Sequence, residues 1–152
     1  GGGNRKLIGV ISRQDVLKAM QYTQKQPQVG ETFEDLIGAN MSVSTDQDGD
    51  MVISATITPQ MTNSYGTVSE GVLMILMIKA AYRRIQSERD GDMVLENITT
   101  YFVRPVQMET RVQIRPRIIE ISRKFGKIDV EVYHHRTVVA KAVLTAQVID
   151  HM

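Results

Sequence analysis

The chain is 152 residues long, a single-domain length that can bury about two-thirds of its unfolded surface around one core. Hydrophobic residues make up 42% and charged residues 23%, a balance that excludes a disordered chain. Eighteen Lys and Arg against 17 Asp and Glu leave a net charge of +1, and there is no cysteine. Charge-driven attraction to nucleic acid or an anionic membrane, disulfide scaffolds, thiol catalysis and thiolate zinc sites are thereby excluded. The expected location is a reducing compartment, the cytoplasm. Nine methionines without a tryptophan suggest a plastic interior suited either to a flexible ligand or simply to filling a core. The longest apolar run, Val72–Ile78, falls far short of the ~20 residues of a membrane-spanning helix.

In chain order, residues 1–4 carry no signal-peptide pattern and read as a linker or remnant. Residues 5–20 form a separate short unit. Lys6–Ser12 is a β-type run broken by Gly9, and Asp15 is placed to cap a helix through Val16, Leu17 and Met20. The spacing of Gly9, Ile11, Ser12 and Asp15 resembles the closing strand and helix of a CBS domain, a regulatory module. Residues 21–31 are polar, contain Pro27 and end near Gly30, as a linker does. The remaining unit, 32–150, opens with a helical turn at Thr32–Ile37 stopped by Gly38. Strands follow at Met41–Thr45 and Met51–Thr58, joined by an Asp48-Gly49 hairpin turn. Pro59–Gly66 is a loop, and Ser69–Glu88 is one long helix. Asp90-Gly91 then turns the chain into four β-rich segments at 93–103, 110–122, 127–134 and 137–149.

The helix is informative because its first half is not amphipathic. Val72–Ile78 is apolar all round, so it must be enclosed on every side, whereas Lys79, Arg83, Arg84 and Gln86 polarise the second half. Set among antiparallel strands, such a helix implies a sheet that curls around it, an α+β fold. In the third of the late segments Ile128, Val130 and Val132 alternate with Asp129, Glu131 and Tyr133, giving one buried and one wet face. In the second, the alternation changes phase near Pro116, where a bulge or an edge position is expected.

Two segments carry a resemblance to the hotdog fold of acyl-CoA thioesterases, a curved antiparallel sheet wrapped around one long helix. Asn63-Ser-Tyr-Gly-Thr-Val-Ser-Glu-Gly71, running directly into the helix, resembles the Asn-x-x-Gly-x-x-His-Gly-Gly motif of that group. Thr100-Tyr-Phe-Val-Arg-Pro-Val106 is similar to its Phe-x-Arg-Pro-Val strand. The resemblance implies that backbone amides at the helix start face a thioester carbonyl, where free N–H groups and the positive dipole end stabilise a developing oxyanion. Gly71 would then admit the substrate closely and Asn63 would orient it. Tyr65, Gly66, Ser69 and Arg104 complete the substrate-binding set implied.

The catalytic residues do not carry over. Ser69 stands where the motif has His, and Glu70 where it has the first Gly. A carboxylate two turns into the helix would fall near Ile78. The loop His and helix Glu of related dehydratases would fall at Gly66 and Leu76, so acyl dehydration is not expected. Glu70 and Asn63 are left as candidate catalytic residues, with Glu70 as general base. Against this, Thr67-x-x-Glu70 fits a capping box in which Thr67 caps the helix and Glu70 reaches back to its amide. Ser69 has no nearby His to activate it as a nucleophile. Arg104, Arg115, Arg117, Arg123 and Lys124 are candidates for the CoA phosphates, Arg104 first among them. His134 and His135, at neighbouring strand positions, point to opposite faces and so do not form a metal site. No metal is expected, and no cofactor other than coenzyme A as part of a ligand.

Three readings follow: an acyl-CoA-binding sensor, an acyl-CoA thioesterase using Glu70 and Asn63, and a dimerisation module that binds nothing. The CBS-like segment favours the first and third, and the 63–71 motif the first and second. An acyl-CoA thioester is the expected partner, without membrane or direct nucleic-acid binding. An exposed sheet edge, with the resemblance, implies at least a homodimer.

Overall fold

The computed structural model describes the backbone of residues 7–12 and the whole of 37–150. Its elements are β1 (Leu7–Ser12), β2 (Met41–Thr45), β3 (Met51–Thr56), a 3-10 turn (Pro59–Met61), α1 (Glu70–Glu88), β4 (Gly91–Phe102), β5 (Arg111–Ile121), β6 (Phe125–His134) and β7 (Thr137–Asp150). The strands form one antiparallel sheet in the order β1-β4-β7-β6-β5-β3-β2. Strands β2–β7 and α1 are the elements expected of the main unit. From Leu7 to Ser12 the expected β-type run is a strand, and it joins this same sheet: β1 pairs with β4 from Leu7 opposite Phe102 to Ser12 opposite Asn97. Asp15 and its expected helix, and the linker 21–31, lie outside the described residues.

Helix α1 packs on one face of the sheet, against β4, β5, β6 and β7. Its first half is enclosed as the sequence requires: Val72, Leu73, Ile75, Leu76 and Met77 are buried, and Met74 and Ile78 pack partly buried against the same core. Each fully buried side chain of this size contributes about 1.5–3 kcal/mol. The sheet supplies the other wall through Val112 and Ile114 of β5, Ile128, Val130 and Val132 of β6, and Ala140, Ala142 and Leu144 of β7. Asp129, Glu131 and Tyr133 lie half-buried on the opposite face, so β6 alternates as expected. No helix among the described residues is long and apolar enough to cross a membrane.

Three local expectations are corrected or sharpened. Gly38 does not stop the first helical turn; residues 37–39 are helical and the chain turns at Asn40, whose N–H donates to Ile37 O at 3.1 Å. With open space around its Cα, Gly38 simply continues the turn. Near Pro116, of the two expected alternatives, the edge position is found, and the bulge falls between Ile118 and Glu120. Pro116 keeps the inward parity of Val112 and Ile114, because β3 pairs with β5 only as far as Ile114 and asks no N–H of residue 116. Ile119 is the residue turned out, 54% exposed. Third, His134 and His135 do not diverge. Strand β6 ends at His134, and His135 takes a left-handed φ of 56°, which leaves the two rings tilted with centroids 4.3 Å apart.

Gly91 opens β4 at a point where the chain has no room. A Cβ there would lie 2.7 Å from Ile149 O, so β4 and β7 begin pairing only because residue 91 lacks a side chain.

Candidate functional site

The residues before α1 build a compact approach loop. Thr62 and Val68 form an isolated antiparallel bridge, and inside it Asn63 N–H donates to Thr67 O at 2.8 Å and Gly66 N–H to Asn63 O at 3.1 Å. The Asn63 side chain ties this turn together. Its Oδ1 accepts from Tyr65 N–H at 2.9 Å, Thr67 N–H at 3.3 Å and Thr67 Oγ1 at 3.2 Å. Such side-chain-to-backbone bonds are how Asn stabilises turns. Gly66 sits at φ +76°, where an L side chain is strained.

The second motif segment lies directly against this loop. Val68 N–H donates to Val106 O at 2.7 Å, Met108 N–H to Gly66 O at 3.1 Å, and Thr67 bridges to Gln107. Strand β4 has by then ended at Phe102; Val103 and Arg104 both donate their amides to Val139 O, at 2.9 and 3.2 Å. Thus the structure joins the segments 63–71 and 100–106, which are far apart in sequence, by backbone hydrogen bonds.

The helix begins differently from the capping box expected. Ser69, not Thr67, is the N-cap: its extended backbone (φ −71°, ψ 149°) precedes the helix and its Oγ accepts from Val72 N–H at 3.2 Å. Thr67 lies two residues before the cap position, bridged to Gln107. Glu70 therefore occupies the first helical position and makes no reach back; its exposed carboxylate has no hydrogen-bond or ionic partner among the described residues. The first intrahelical bond is Leu73 N–H to Ser69 O, at 3.1 Å. With Val72 N–H taken by the cap, the Glu70 and Gly71 amides remain as donors without an acceptor among the described residues. Apart from its own turn of helix, no atom of the described residues lies within 4 Å of the place a Cβ would take on Gly71. Two free amides, the dipole of a 19-residue helix and open space beside Gly71 together suit an acyl carbonyl oxygen.

The candidate residues divide accordingly. Gly66, Ser69, Glu70 and Gly71 lie along the approach loop and helix start. Tyr65 stands 88% exposed at the loop tip, with the half-exposed Met108 packed beneath Gly66. Arg104 is exposed on the adjoining segment, without an ionic partner among the described residues. Asn63 has its oxygen committed to the loop, so only its amide nitrogen is left to meet a ligand.

The five basic candidates are dispersed. Arg104 is at the helix-start end. Arg123 and Lys124 lie in the β5–β6 turn at the other end, where Lys124 O accepts from Val148 N–H. Arg115 and Arg117 project from the face of β5 opposite α1, and Arg115 bonds Asp46 Oδ2 at 2.8 Å. The Arg115 guanidinium, together with the Asp48 and Asp50 amides, holds the Asp46 carboxyl below its ordinary range. Asp46, Asp48 and Asp50 cluster at the β2–β3 turn, but Asp46 serves there as the turn's hydrogen-bond acceptor. Among what the sequence did not single out are Thr67 as a loop lock, and Tyr133 and Arg136 beside Arg115 and Arg117. A Thr four residues after a turn Asn was the one available signal for Thr67.

One long helix with free amides at its start, laid across a curved antiparallel sheet, defines a hotdog domain. Residues 65–141, just over half of the chain, match the thioesterase superfamily, and the chain belongs to it. A Bacillus subtilis protein, YtoI, is 46% identical over 97% of this chain; the chain spans 34% of that protein's length. Among solved structures, the BH2602 protein of Bacillus halodurans with CoA superposes with a TM-score of 0.69 at 16% identity, covering 91% of this chain and 94% of that one. The smu.793 protein of Streptococcus mutans bound to acetyl CoA gives 0.66 at 19% identity, over 83% and 95%. At these identities the likeness is one of fold.

Proposed function

We propose that the domain binds an acyl-CoA thioester, with the acyl carbonyl oxygen received by the Glu70 and Gly71 amides. The observation that carries this reading is the pair of unpartnered amides beside the open space at Gly71. CoA and acetyl CoA in the two fold neighbours support it. Calorimetric titration with acyl-CoAs of increasing chain length tests it on the wild type and on Gly71→Val. Apart from its own turn of helix, a Cβ there meets none of the described residues, so the variant should fold. Saturable binding lost in Gly71→Val is the expected result. Undiminished binding by Gly71→Val, or none by the wild type across the panel, would overturn the reading.

A second reading, hydrolysis of the thioester, is favoured by the state of Glu70. Ser69 does the capping, so the Glu70 carboxylate is left free to act on a water as general base. Thiol release from acyl-CoA, followed with a thiol-reactive dye, is free of background because the chain has no cysteine. Turnover that collapses in Glu70→Gln is what this reading requires.

We further propose that the domain works in the cytoplasm as a homodimer within a regulatory, CBS-containing protein. The absence of cysteine supports the compartment. The Gly9–Asp15 pattern supports the regulatory setting, and the pairing of β1 with β4 would give a neighbouring region a direct hold on the sheet. Exposed edges support self-association. A monomer in light scattering at micromolar concentration would exclude the dimer.

A further inference from the structure

The face of the sheet opposite α1 carries a cleft of about 520 Å³ bounded by β3, β5, β6 and the β6–β7 turn, within the size range of small-molecule sites. We infer that this cleft binds an organic phosphate, held between the guanidinium groups of Arg117 and Arg136. The inference does not require the acyl-CoA reading, since the cleft residues lie on the face of the sheet opposite α1 and can be tested without an acyl-CoA.

Three arginines reach this one cleft by different routes. Arg115 and Arg117 are two apart on β5 and so share a face; Arg136 comes from the turn between β6 and β7. The acids that would ordinarily quench them are spent elsewhere. Asp129 stands directly across from Arg117 and Glu131 across from Arg115. Both carboxylates lie toward Lys141, whose Nζ is 3.4 Å from Asp129 Oδ1 and 3.9 Å from Glu131 Oε2. Arg115 is held in place by Asp46. Arg117 and Arg136 are left without an ionic or hydrogen-bonding partner among the described residues. Besides Glu131, the lining carries one further carboxylate, that of Asp50. Two free planar guanidinium groups in one concavity are the donors that phosphate oxygens match best.

The turn itself points the same way. A two-residue connection between antiparallel strands favours Gly or Asn, yet this one is His135-Arg136, with His135 at φ 56°. Histidine is among the residues that tolerate this region, and its use here sets an imidazole at the edge of the cleft. His135 and Tyr133 both line the cleft and would add a ring face and hydrogen-bonding groups for the organic part of the ligand.

The phosphate could belong to a separate phosphorylated metabolite. It could equally be carried by the acyl-CoA, because the β6–β7 turn lies at the helix-start end of the sheet, where Val139 O accepts the Val103 and Arg104 amides. Calorimetry with inorganic pyrophosphate at low ionic strength separates the cases. It is run on wild type, Arg117→Gln, Arg136→Gln and the double variant, with the ligand-free Tm of each as the folding control. Saturable binding is expected in the wild type, weakened about tenfold or more in the double variant, with the ligand-free Tm unchanged. Competition by CoA would assign the phosphate to the acyl-CoA, and independent binding to a second ligand; both uphold the cleft. The inference fails if millimolar pyrophosphate gives no binding, or if the variants bind it as tightly as wild type. It fails too if the double variant changes only the oligomeric state, which would make the face a contact between copies of the chain.

Discussion

The two ends of α1 are secured in opposite ways. At its start, the approach loop and the segment after β4 are joined through the main chain, by Val68 to Val106, Met108 to Gly66 and Ser69 to Met61. The side-chain ties there are few: Asn63 and Ser69 accept, and Thr62 and Thr67 donate through their hydroxyls. At its end, side chains hold the helix: Arg84 pairs with Glu88, Arg89 with Asp150 and the Ser122 carbonyl, and Tyr82 donates to Asp92. The first arrangement leaves the side chains of Tyr65, Glu70 and Arg104 unengaged; the second commits Arg84, Arg89, Glu88 and Asp150 to holding the helix. An end held mainly by backbone leaves more of its side chains for a ligand than one held by its own ion pairs.

The comparison can be broken or sharpened by substitution. The largest effect is expected at the core that both ends share: Leu76→Ala, at a fully buried position, should cost about 2–5 kcal/mol in denaturant unfolding. Next is Asn63→Ala, which removes the acceptor of three loop hydrogen bonds. About 1–3 kcal/mol is expected, together with faster amide exchange at Tyr65 and Thr67. Ser69→Ala removes the cap and should cost about 1 kcal/mol while leaving the Glu70 carboxylate unaltered. At the other end Arg84→Ala should cost only about 0.3–0.5 kcal/mol, as exposed pairs one helical turn apart do. A larger loss there than at Asn63 would reverse the comparison.

The smallest effect is a pH dependence on the far side of the sheet. Asp46 titrates below its ordinary value of 3.8, so it contributes stability above that pH, lost as the pH falls through the lower folded value. In Arg115→Gln the Asp46 carboxyl resonance should titrate at higher pH than in wild type. An unchanged midpoint would mean that the turn amides alone hold it down.

How much of this could be read from residues alone depended on the range of the interaction. The enclosed first half of α1 was legible because Val72–Ile78 leaves no polar face, and the alternation of β6 because one strand suffices to show it. The two motif segments were legible individually, though their direct pairing was not. Two hydroxyl residues lie two apart before the helix and the local pattern fits either as cap; the bridge from Thr67 to Gln107, which is distant in sequence, leaves the cap to Ser69. The phase change in β5 was legible near Pro116, which lies at an edge where β3 has ended and its missing N–H costs nothing. The bulge itself, at Ile118–Glu120, has no residue that announces it. The Asp46–Arg115 pair spans 69 residues and the β1–β4 pairing some ninety. No local pattern announces either one.

Gly91 gives a last lesson, about reading substitution data. A Cβ at this position would lie 2.7 Å from a backbone oxygen that has no freedom to retreat. In a saturation library selected for any function at all, residue 91 should return glycine alone, as intolerant as an active-site residue. Its invariance would record only that two strands need room to meet, whereas Gly71, with open space around it, would accept alanine in a stability selection and resist larger residues only when the ligand is part of the test.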